Sequence, residues 1–148
     1  MKKTVILGIN LFMGLSFISL ASYIQPVQQT NIKVTGIRSS KGNIIVQVFK
    51  DNATYEDQKP FKKITFDKKA LVNGMLSVTL DLEPAIYGFT MIDDENGNGD
   101  IDKNLIGMPK EGFGFSNFFL EKMKKPKFDD FKTNLTTQSN IVMKVKYM

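Results

Sequence analysis

Leu76, Val78, Leu80 and Leu82 alternate with Ser77, Thr79 and Asp81. A strict period of two puts every second side chain on one face of an extended strand. Nothing else in the chain constrains the fold as tightly, and its neighbours agree with it. Asn31–Ser39 alternates loosely, and Ser40-Lys41-Gly42-Asn43 reads as a turn. Ile44–Phe49 is β-branched and apolar on both faces, which suits a central strand. The polar stretch Asp51–Pro60 reads as a loop, and Phe61–Asp67 places Ile64 and Phe66 on one face. Asn73-Gly74 is a hairpin signal. Glu83-Pro84-Ala85 turns the chain into a strand lined by Tyr87, Phe89 and Met91. Phe128–Thr136 is expected to hold a short edge strand. Ile141, Met143, Val145 and Tyr147 alternate with Val142, Lys144 and Lys146 as a terminal strand with one wet face. No run has a helical period. The fold expected is all-β: a single antiparallel Ig-like sandwich of about seven strands, with a long loop after the fifth.

Residues 1–21 stand apart. Lys2 and Lys3 precede the apolar run Val5–Ala21, and Ser19-Leu20-Ala21 has the small-x-small form of a cleavage site. This is the pattern of a secretory signal peptide cut after Ala21. The apolar run is shorter than the ~20 residues that span a bilayer. The organisation expected is a signal peptide at 1–21, a short linker at 22–30 and a β-sandwich domain at 31–148. The product is an exported protein, periplasmic or secreted, with no transmembrane anchor after cleavage. The chain has no cysteine, so neither a lipidated cysteine nor a disulfide is available. With no histidine either, triads and thiol chemistry are excluded.

The densest run of oxygen side chains follows the fifth strand. With Asp94 as position 1, Asn96 is position 3, Asn98 position 5, Gly99 position 6, Asp100 position 7 and Asp102 position 9. That is the first part of a D-x-[DN]-x-[DN]-G calcium loop. Ca²⁺ takes six to eight oxygens at about 2.3–2.6 Å, and alternate side chains of a tightly wound loop can converge on it. Asp94, Asn96, Asn98 and Asp102 would serve through side chains, Asp100 through its carbonyl, and Ile101 would anchor the loop to the core. Leu105 stands where an EF-hand needs a bidentate Glu, and no helix flanks the loop. The missing oxygens would come from Asp93, Glu111 or water. The plain alternative is a solvated Asx/Gly turn.

A second stretch, Ile106–Asn117, reads as a Gly-rich loop with Lys110, Glu111, Phe113, Phe115, Ser116 and Asn117 as candidate ligand-surface residues. It serves either as that surface or as a loop pinned to the sandwich end by its phenylalanines. Charge excludes a nucleic-acid role: 20 basic against 15 acidic residues give +5, and the bases are mostly scattered. The one cluster, Lys122, Lys124, Lys125 and Lys127, reads as a solvated face, or more sharply as a surface for anionic glycan or lipid.

The joint run Asp94–Asp102 plus Gly107–Asn117 resembles the DUF2141 family of exported bacterial proteins, whose pattern runs D-x-N-x-N-G-x-x-D and then G-x-P-x-E-G-[YF]-G-x-S. The likeness extends to Gly42–Phe49 and to the Leu82–Tyr87 turn, where Ala85 replaces the family's glycine. It spans essentially Asn31–Tyr147. The resemblance implies export and a sandwich, with a fold-level analogy to transthyretin-like and carboxypeptidase-regulatory-like domains, and implies no activity.

Three functions follow. The first is a non-catalytic binding or structural module with a structural Ca²⁺ loop and an unknown protein or glycan partner in the envelope. The second is a metal-free protein-interaction module pairing through an edge strand, for instance the C-terminal one. The third is a glycan hydrolase using Glu111 and a loop aspartate as its carboxylate pair.

Overall fold

The structure is a computed structural model that describes residues 26–122 and 124–148. The signal peptide and cleavage site expected at residues 1–21 lie outside the described residues. Among the described residues, eight strands and two short helices run in the order β1 (Gln28–Thr35), β2 (Asn43–Phe49), α1 (Asn52–Glu56), β3 (Lys62–Asp67), β4 (Met75–Leu82), β5 (Ile86–Asp94), β6 (Gly112–Phe115), α2 (Phe128–Phe131), β7 (Lys132–Asn134) and β8 (Asn140–Lys144). Among the described residues no helix is long and apolar enough to cross a membrane.

Two sheets face each other. One is ordered β4-β1-β8; the other is ordered β3-β2-β5-β6, with β7 also pairing with β5. Their inner faces bury Ile32, Val34, Ile44, Val46, Leu76, Leu80, Phe89, Met91, Ile141 and Met143. These are the period-two positions of β1, β2, β4, β5 and β8. Complete burial of such a side chain is worth about 1.5–3 kcal/mol, so this layer holds the sandwich together.

The five-stranded sheet is buried on its other face too. Phe49, Phe113 and Phe115 meet Tyr55 of α1, Phe128 and Phe131 of α2, and Leu120 in a second, aromatic cluster. Edge-to-face contacts dominate it: Tyr55 lies 5.5 Å from Phe49 and 5.0 Å from Phe131 between ring centroids. This explains why Ile44–Phe49 is apolar on both faces. Gly88 of β5 permits the close approach of α2, since a Cβ there would fall 2.6 Å from the Phe131 ring.

The structure corrects four sequence expectations. The sandwich is not wholly antiparallel: β1 pairs antiparallel with β4 but parallel with β8, from Asn31 opposite Asn140 to Thr35 opposite Lys144. Alternation reports which face a residue takes, not the direction of its neighbour strand. Strand β1 opens at Gln28, inside the expected linker. Asp51–Pro60 contains α1, capped by Asp51, whose Oδ1 accepts the Thr54 N–H at 2.8 Å. Phe128–Thr136 opens as α2 before the short β7, with Asp130 accepting the Lys127 N–H at 2.8 Å. Helices of four or five residues are too short to show a 3.6-residue period.

The long loop after the fifth strand is present. It leaves β5 at Asp94 and returns as β6, which pairs antiparallel with β5 from Thr90–Phe115 to Asp93–Gly112.

Candidate functional site

The loop is wound around Asp94. This side chain is 1% exposed although it sits at a strand end. Its Oδ1 accepts the N–H groups of Gly97 (2.8 Å) and Asn98 (3.2 Å), and its Oδ2 accepts that of Gly99 (3.0 Å). Two further Asx turns continue the coil: Asn96 Oδ1 accepts the Asn98 N–H at 3.0 Å, and Asn98 Oδ1 accepts the Asp100 N–H at 2.9 Å. Asn96 and Asn98 then meet one carboxylate. Their Nδ2 groups donate to Asp102 at 2.6 and 3.0 Å.

Glu111 is the second pillar. It is 5% exposed, and its two oxygens accept the N–H groups of Glu95 and Asp102, both at 3.1 Å. It therefore ties the start of the loop to its middle. Lys63 of β3 reaches the same coil and donates to the Gly99 carbonyl (2.6 Å) and to Asp100 (3.3 Å). Ile101 packs against the aromatic cluster, the anchoring role expected of it.

Asp93 takes no part in this gathering. It is buried and faces the other way, accepting hydrogen bonds from Lys68 and from the Tyr147 hydroxyl. Lys68, also buried, donates to the carbonyls of Ser39 and Lys41 at 3.1 and 2.6 Å. Burial, with Asp93 beside it, pushes the Tyr147 hydroxyl well above its ordinary range. Next to it Glu95 forms a two-point pair with Arg38, at 3.0 and 2.7 Å, and that bond holds the Glu95 carboxyl below the usual range. The Arg38 guanidinium in turn lies 4.2 Å from the Tyr147 ring centroid. Local alternation did not reveal this network, whose members lie far apart in the chain.

The site thus brings together Asp94, Asn96, Asn98, Asp100, Asp102 and Glu111. Among the described residues no three carboxylates, histidines or cysteines stand close enough to hold a metal ion by themselves. Any cation here has to draw on asparagine and backbone oxygens as well. Those oxygens have the capacity: an amide or carboxylate oxygen that accepts one N–H retains a second lone pair.

The second stretch is placed differently from the expected ligand surface. Phe113 and Phe115 lie in β6, and with Ser116 they are buried. Ser116 Oγ donates to the Phe131 carbonyl at 2.6 Å and accepts the Phe89 N–H at 3.0 Å, so it joins β5 to α2. Phenylalanines spaced two apart with glycines between them make a strand covered on both faces. Lys110 and Asn117 are exposed. Asn117 bridges the sheets: its N–H donates to the Val142 carbonyl at 2.8 Å, and its Oδ1 accepts the Val142 N–H at 2.9 Å. The C-terminal edge is met there and again at Lys146, which exchanges two backbone hydrogen bonds with Phe113. In the lysine cluster Lys125 pairs with Glu56 at 2.8 Å, and the others line an open groove with Phe118 and Phe119.

One feature escaped the sequence reading. Leu105, which stands where an EF-hand has its twelfth-position Glu, sits with Ile106 at the exposed tip of a short hairpin. The signal was available in Asn104, a residue type that closes turns through its side chain, followed by Gly107.

Over residues 32–143 the chain matches the family described as "Uncharacterized protein conserved in bacteria (DUF2141)". It belongs to that family. No curated protein and no solved structure matches it.

Proposed function

We propose that this member of the DUF2141 family is an exported, non-catalytic binding or structural module whose 94–111 loop takes up one Ca²⁺. The observation that carries the reading is convergence. Asn96 and Asn98 both reach Asp102, on a coil wound around the Asp94 carboxylate. Asp94, Asn96, Asn98 and Asp102 would hold the ion through side chains and Asp100 through its carbonyl. Bound there, Ca²⁺ would supply positive charge against three carboxylates and order the hairpin beyond them. Export rests on the N-terminal pattern Lys2–Ala21. The non-catalytic reading rests on the absence of His and Cys, and on Glu111 committing both oxygens to backbone N–H groups instead of to a cleft.

A metal-free interaction module is the second reading. The same hydrogen bonds favour it, since the loop closes on its own donors.

Thermal unfolding in EDTA, in millimolar CaCl2 and in MgCl2 separates the two. A ligand that binds only the folded state adds about 2.7 kcal/mol at a hundredfold excess over Kd, a rise of roughly 10 °C for a domain this size. The expected outcome is a calcium-selective rise that Asp102→Asn removes. Asp102→Asn is preferred to a change at Asp94, whose three backbone bonds the fold needs. Equal melting in all three solutions would leave the metal-free reading.

A further inference from the structure

We propose that residues 102–110 form a docking finger that inserts Leu105 and Ile106 into a surface of anionic phospholipid. The Asp102 carbonyl accepts the Lys110 N–H at 2.8 Å, Lys103 bridges to Pro109, and Asn104 N–H donates to the Met108 carbonyl at 2.8 Å. These contacts make a short hairpin. Its tip is built on Asn104, whose carbonyl accepts the Gly107 N–H at 2.9 Å and whose Oδ1 accepts those of Ile106 (3.0 Å) and Met108 (2.9 Å).

The apolar pair lies on that turn. Leu105 is 106% exposed and Ile106 is 83% exposed, more than any other large hydrophobic among the described residues. Isolated exposed aliphatics are ordinary; two adjacent ones held outward by a four-bond turn are a feature of different kind. The turn is already ordered, so docking costs little conformational entropy.

Charge selects the partner. Lys103 and Lys110 flank the finger, both are exposed, and among the described residues neither forms an ion pair. An aliphatic tip with ammonium groups behind it fits an interface whose interior is hydrocarbon and whose surface is anionic. Asp100 and Asp102 at the base oppose such a surface, so a cation bound among them strengthens docking. The inference rests on the proposed reading of the chain as a binding module, but the finger itself needs no metal.

The test is co-sedimentation of residues 22–148, a span that keeps every described strand and both apolar clusters, with vesicles of phosphatidylglycerol or of phosphatidylcholine. Each is run in EDTA and in CaCl2. Binding is expected to phosphatidylglycerol, reversible and of the order of a single acyl chain, and about tenfold weaker for Leu105→Ser/Ile106→Ser. Stronger binding in CaCl2 supports both the finger and the metal reading. Tip-dependent binding that ignores calcium supports the finger and counts against the metal alone. The proposal is overturned by absence of binding, by equal binding to both lipids, or by equal binding of the double variant. It is also overturned by vesicle-free self-association that the double variant abolishes, which would assign the tip to a second copy of the chain.

Discussion

Asp93, Asp94 and Glu95 are consecutive carboxylates with three separate jobs. Asp93 turns into the sandwich to meet Lys68 and Tyr147, Asp94 turns into the loop and holds three of its N–H groups, and Glu95 reaches out to Arg38. Successive side chains at a strand end point to different sides, so one short acidic run can serve the core, the loop and the surface together. Gly42 makes the arrangement possible. It has φ +67°, and a Cβ there would fall 1.9 Å from the Asp94 carbonyl oxygen. The tyrosines yield a pH dependence. Burial raises the hydroxyl of Tyr55, with Glu56 and Asp130 adding to it, and burial raises that of Tyr147, with Asp93 adding. Above a pH of about 10 the unfolded chain releases these protons while the folded chain keeps them, so stability is fully present below that pH and falls as pH rises further. Urea midpoints should therefore drop steeply through the alkaline range. Tyr55→Phe, which forgoes only the 3.2 Å bond to the Pro126 carbonyl, should flatten that limb, and an unchanged slope would refute the assignment.

At the scale of elements, β5 organises the molecule. It pairs with β2 on one side and shares its other side between β6 and β7. Helix α2 rests on it at Gly88, where an added methyl would meet both Phe128 and Phe131. Gly88→Ala should cost about 1–3 kcal/mol by overpacking and loosen α2, read as a lower urea midpoint and faster proteolysis in the 118–127 segment. An unchanged midpoint would mean that the rings move aside freely. The same element marks how far the chain could be read. Strands β4 and β8 were legible because one face of each meets the inner core, which leaves a period of two, and β2 because a short β-branched run apolar on both faces suits a strand buried on both sides. The coil at Asp94–Asp102 was legible because Asp and Asn at alternate positions, with glycines between them, wind the chain through side-chain bonds to backbone N–H groups. Strand β6 was hidden: in Gly112–Phe115 the glycines lie against Val145, Tyr147 and Met91. A strand with phenylalanines on one face and glycines closely covered on the other reads as a flexible Gly-rich loop. Partners more than a hundred residues apart, such as β1 and β8, leave no local trace.

For the whole molecule, the decisive pairing is that of β1 with β8. These are the first and last strands, they run parallel, and their register extends from Asn31–Asn140 to Thr35–Lys144. The described chain therefore enters at one end of this strand pair and leaves at the other. A tensile load applied at Gln28 and Met148 acts along the two strands in opposite directions. Their hydrogen bonds then lie across the pull and share it, where a hairpin loaded at its open end would surrender them singly. Single-molecule extension through those two points should give a high rupture force. Loading through Gln28 and Leu82, the paired ends of the antiparallel strands β1 and β4, should give a lower one. Comparable forces in the two geometries would show that the aromatic layer, not the terminal pairing, bears the load.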